Sequence, residues 1–117
     1  MDQEKLFNIS VSDLYGAYCK KVERKGGSEA DLMKVIGWLT GFDSKTVKKH
    51  VKDQTTLKNF FKGANLNPSA RLITGKICGV TIQDIQDPLM KKIRYLDKVV
   101  DELANGRPME KIFRSGR

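Results

Sequence analysis

The stretch "TGFDSKTVKKHVK", Thr40 to Lys52, carries Ser44, Lys45, Lys48, Lys49 and Lys52. From Lys45 the lysines recur at steps of three and four, so on an α-helix they share one face. Clustered ammonium groups neutralise phosphates. They act as point charges on a polyanion, whereas reading base edges takes Arg, Asn or Gln. Lys58, Lys62, Arg71 and Lys76 follow downstream and complete the candidate set. The net charge of +8 is concentrated around these residues. Residues 32–80 hold 9 basic and 2 acidic side chains, against 5 and 6 in residues 1–31 and 8 and 6 in residues 81–117. A localised basic face is the electrostatic footprint of a polyanion partner. The competing reading is a lysine-rich face kept for solubility.

Other chemistry is sparse. His50 is the single histidine, and no cysteine or carboxylate is spaced to complete a zinc site with it. Cys19 and Cys78 are far apart and form no CxxC pair; both lie among apolar residues at helical spacing and are expected to be buried, reduced thiols. No GxSxG, GxGxxG or GxxxxGK[ST] element occurs, and in "ITGKICGV" the second glycine is not followed by the lysine and hydroxyl of a phosphate loop. Asp84, Asp87, Asp97, Asp101 and Glu102 read as helix caps and solvated faces before they read as metal ligands or an acid/base pair. The expectation is a protein that is not an enzyme and holds neither cofactor nor metal.

The elements that must position the lysines are helical. The 117 residues make one domain, 39% apolar and 31% charged, with no run near the roughly 20 apolar residues a bilayer requires. The start "MDQEKLFNIS" has acids where a secretion signal has basic residues, so a cytoplasmic protein without a membrane partner is expected. A period of about 3.6 dominates. Ser10 caps a helix to Lys25, with Val11, Leu14, Tyr15, Tyr18, Cys19 and Val22 inward. Ser28 caps a second, burying Leu32, Val35, Ile36 and Leu39, with Trp38 beside that stripe and Gly41 ending it. A third follows an Asp43 or Ser44 cap with Val47 and Val51 inward, and a fourth runs from Thr56 to Gly63 with Leu57, Phe60 and Phe61 inward. Asn67 and Pro68 start another, which runs to Gly79, buries Leu72, Ile73, Ile77 and Cys78, and uses Gly75 for a close helix crossing; Thr81 to Ile85 adds one turn. Asp87 and Pro88 open the longest helix, ending at Asn105-Gly106, with Leu89, Ile93, Leu96, Val100 and Leu103 as its seam. A short helix from Pro108 to Phe113 tucks Ile112 and Phe113 beneath it. The seam of the long helix would suit a dimer as well. Burial within one chain is expected, giving a monomer or weak homodimer.

These segments make an all-α, single-domain orthogonal bundle of about six or seven helices over residues 1–117, with 1–9 and 114–117 expected to fray. Gly37, Gly41 and Val47 also fall at the small-residue, turn and anchor positions of a helix-turn-helix, and "GFDSKTVKKHV" resembles the "GVS..TV" turn of bacterial repressors. His50 departs from that pattern by standing where an apolar side chain is usual. The alternative is a plain pair of packed helices.

"KVERKG", "VIGWLTGFD", "FFKGANLNPSARLITGKICGV" and "IQDIQDPLMKKIRYLDKVVDELANGRPMEKI" together resemble a family of small bacterial proteins catalogued as a domain of unknown function, number twenty-two hundred. The resemblance implies a compact, mostly helical, cytoplasmic bacterial protein and supplies no activity, cofactor or site residue. Three functions follow from the residues: a non-enzymatic nucleic-acid-binding or regulatory module using the basic face; a protein-interaction adaptor or structural module, homodimeric in one form; and an enzyme acting on a small anion.

Overall fold

Helix starts are written in side chains. The Ser10 hydroxyl accepts the Asp13 N–H, Ser28 that of Asp31, Asp43 that of Thr46, Thr56 that of Asn59 and Asp87 that of Met90. Each satisfies a first-turn amide that has no partner within its helix. The computed structural model of the chain describes residues 3–77 and 79–114. In order, these form α1 (Gln3–Phe7), α2 (Val11–Arg24), α3 (Glu29–Thr40), α4 (Ser44–Lys52), α5 (Leu57–Gly63), α6 (Pro88–Ala104) and α7 (Met109–Ile112).

The core lies where α6 crosses the bundle and packs on α2, α3, α5 and α7. Ile93, Leu96, Val99 and Val100 of α6 meet Val22 of α2, Leu32, Val35 and Leu39 of α3, and Leu57, Phe60 and Phe61 of α5 in one buried cluster. The α6 seam is thus buried within the chain's own core at Ile93, Leu96 and Val100, with Leu89 and Leu103 half-buried at its ends. The architecture is the mostly helical single bundle that the periodicity implies.

Residues 67–79 depart from expectation. In place of one helix, a 3-10 turn covers Pro68–Leu72, and strand β1 (Lys76–Ile77) pairs antiparallel with β2 (Val80–Thr81). A second 3-10 turn, Ile82–Asp84, then leads to α6. The cause is backbone geometry: Gly75 has φ +102 and Gly79 has φ +77, values that a right-handed helix cannot contain. Gly75 therefore breaks the chain rather than admitting a crossing helix, and its N–H bonds to Gln83 Oε1. Ile77 and Ile82 still reach the core.

Two further differences are smaller. The stretch 1–9 contains α1, whose Leu6 and Phe7, with Ile9 after it, pack against the core. Cys19 is free and half-buried, less enclosed than expected, while Cys78 lies outside the described residues. No helix among the described residues is long and apolar enough to cross a membrane.

Candidate nucleic-acid interface

The turn between α3 and α4 admits little but glycine. Gly41 sits at φ +77 as the cap of α3, with its N–H on the Gly37 carbonyl at 2.9 Å. A Cβ on Gly41 would come within 2.8 Å of the Asn65 carbonyl oxygen, and one on Gly37 within 3.0 Å of the Phe42 carbonyl oxygen. Both contacts are with backbone and cannot yield by a side chain swinging away. Buried Thr40 reinforces the turn: its hydroxyl donates to the Ile36 carbonyl at 2.8 Å and accepts the Phe42 N–H at 3.3 Å.

The inner face of α4 is held by packing. Val47 is 1% exposed. Half-buried His50 lies 5.1 Å from the Phe42 ring and 5.2 Å, edge to face, from Phe60; its Nδ1 is 3.0 Å from the Thr55 hydroxyl. His50 therefore fills its apolar position as an aromatic ring with one polar atom satisfied. Asp43 caps the helix. Hydrogen bonds from Thr46, its hydroxyl first and its N–H second, hold the Asp43 carboxyl below the ordinary carboxylate range.

The outer face is left to the cations. Ser44, Lys45, Lys48, Lys49 and Lys52 are all exposed. The four lysines, with Thr46 and Asp53, border one shallow concavity of about 590 Å³. Lys49 pairs with Asp53 at 3.1 Å, in the open. Lys45, Lys48, Lys52, Lys58, Lys62 and Arg71 make no ion pair among the described residues. The remaining candidates are spread out. Lys58 and Lys62 stand exposed on α5, Arg71 on the first 3-10 turn, and Lys76 on β1, where its carbonyl accepts from Lys98 Nζ. None of these four lines the concavity on α4.

Sequence reasoning missed Lys34. It is exposed on α3 and, with Lys48, lines a groove between α3 and α4. Its helical register, three residues before Gly37, is the signal that could have found it.

Two side chains able to do covalent chemistry, Cys19 and Tyr15, are shifted toward their protonated forms. Burial, and then the Glu29 charge, raise the Cys19 thiol, so it keeps its proton. Burial also pushes Tyr15 far up, and its hydroxyl donates to Glu29 Oε2 at 2.6 Å. Among the described residues no three His, Cys, Asp or Glu side chains converge to hold a metal.

Two comparisons place the chain among known proteins. The family model described as "Uncharacterized protein conserved in bacteria (DUF2200)" matches residues 5–114. The crystal structure of the uncharacterized protein SP1917 is 43% identical over 96% of this chain and 92% of that one, with a TM-score of 0.89. No curated protein matches.

Proposed function

The chain belongs to this family of uncharacterized bacterial proteins, DUF2200, and from its surface chemistry we propose that it is a non-enzymatic, cytoplasmic nucleic-acid-binding module that acts through α4. The observation that carries the reading is the outward face of that helix. Lys45, Lys48, Lys49 and Lys52 stand exposed at successive helical steps, and a single exposed acid, Asp53, pairs with one of them. Gly37, Gly41 and Val47 supply the close approach, the turn and the anchor that a helix-turn-helix uses to present its second helix. Lysines without arginine, asparagine or glutamine among them favour phosphate contact over base reading, so binding is expected to be weakly sequence-dependent.

The test is fluorescence anisotropy with labelled duplex and single-stranded oligonucleotides across a salt series. Duplex binding should appear at low salt and weaken steeply as salt rises, because phosphate neutralisation releases condensed counterions. Replacing one contacting lysine should lower the slope of log affinity against log salt by about 0.9. A wild-type protein that binds neither probe at low salt makes α4 a solvated face and moves the reading to a protein-interaction adaptor.

A further inference from the structure

We propose that the groove between α3 and α4 is a binding site for a small amphipathic carboxylate, a flat or branched apolar body bearing one negative charge. The groove is open to solvent and offers about 600 Å³, within the roughly 300–1,000 Å³ of small-molecule sites. Half its lining is apolar: Ala30, Met33 and Gly37 recur at steps of three and four along α3, and Phe42 joins them from the turn. Ala30 keeps the depression open, because a larger side chain at that exposed position would fill it, and Gly37 lets the Phe42 carbonyl approach to within 3.0 Å of where a Cβ would stand.

The rim selects charge. Lys34 reaches it from α3, and Ser44 and Lys48 from α4. Neither lysine has an acidic partner among the described residues. Glu29 also borders the groove, but Tyr15 occupies its Oε2. Two cations and one carboxylate leave a single positive charge, which complements one carboxylate better than a phosphate dianion. The site stands whether or not α4 meets nucleic acid.

Amide NMR shifts of the full chain during titration with 2-naphthoate test this, with 2-naphthylmethanol as the uncharged body and acetate as the head alone. Naphthoate should saturably shift the amides of Ala30, Gly37, Phe42 and Lys48. The alcohol should bind the same place about five-fold more weakly, as the loss of two exposed ion pairs implies, and acetate should not saturate. Ala30→Phe, at an exposed helical position, should fill the groove and abolish binding while leaving helicity intact. Lys34→Gln with Lys48→Gln should bring naphthoate down to the affinity of the alcohol, and Lys52→Gln on the same helix should leave it unchanged. Absent binding, shifts scattered elsewhere, equal affinity for acid and alcohol, or an unaffected Ala30→Phe each overturns the site. Duplex binding measured in parallel separates the two ideas. Lost DNA binding with a retained naphthoate site removes the α4 reading alone.

Discussion

Helices α4 and α6 carry four basic side chains each, but α6 adds Asp97, Asp101 and Glu102 while α4 has no acid, and the two use charge in opposite ways. On α6, Arg94 pairs with Asp97 at 2.9 Å, and Asp97 also receives the Tyr18 hydroxyl. Lys21 of α2 reaches Asp101 at 2.9 Å, and Glu102 takes Arg107 at 3.2 Å and Arg114 at 2.7 Å. The Glu102 and Arg114 side chains are 8% and 14% exposed, so that pair is largely desolvated and held by several charge-assisted bonds. On α4 the lone pair, Lys49–Asp53, is 75% and 52% exposed. Ions paired in a dry site cost a great deal to separate, whereas exposed pairs contribute little. Paired charge on α6 therefore ties the helix to its neighbours, whereas on α4 only Lys49 has an ion-pair partner among the described residues, and that pair is exposed. The first kind argues for structure and the second for a partner.

The comparison is sharpest within α4 itself, where the inner and outer faces should respond to substitution very differently. Val47→Asp puts an unpaired carboxylate into the core, and a loss above about 4 kcal/mol is expected. Urea denaturation followed by circular dichroism measures it. A stable, fully helical Val47→Asp protein means that α4 is not anchored as described.

Glu102→Gln tests the other helix. It keeps the shape but leaves Arg114 without its anion, and should cost about 3 kcal/mol. The C-terminal segment also closes through Phe113, which stacks on Trp38 of α3 at 5.6 Å and 15°. Trp38 is the single tryptophan, so its emission reports whether that stack loosens with the ion pair. A change no larger than that of an exposed pair, with emission unmoved, would erase the contrast between α4 and α6.

Lys48→Glu with Lys49→Glu should alter stability by no more than about 0.5 kcal/mol per site while abolishing duplex binding in the anisotropy assay. If this variant loses stability as Glu102→Gln does, the lysines have a structural task after all. If it keeps full duplex binding, α4 is not the contact.

What the sequence disclosed follows the range of the interactions concerned. Ser10, Ser28 and Asp87 were readable as caps, and Asp43 as one of two candidates beside Ser44, because a cap bonds an amide two or three residues away. The lysine face was readable because helical period alone sets it. Residues 67–79 were misread because Leu72, Ile73 and Ile77 have a spacing that a helix shares with a 3-10 turn and a short hairpin. The glycines at 75 and 79 held the contrary signal. Lys34 beside Lys48, His50 between Phe42 and Phe60, and Arg114 on Glu102 were hidden because each depends on how helices pack. The partner proposed for the lysine face would leave no imprint in periodicity at all.

The smallest expected effect concerns the cap that starts α4. Hydrogen bonds from Thr46 lower the Asp43 carboxyl in the folded protein, so its ionised form favours folding. That contribution is present above the unfolded value of about 3.9 and is lost as pH falls through the lowered folded value. Asp43→Asn keeps a good capping side chain but removes the titration and the negative charge at the helix start. The variant should therefore melt slightly below the wild type near about pH 6, and the gap should narrow as pH falls from there through the lowered Asp43 value. Melting temperatures by circular dichroism across that range decide it. A gap that stays constant with pH means that the Asp43 charge adds nothing to its hydrogen bond.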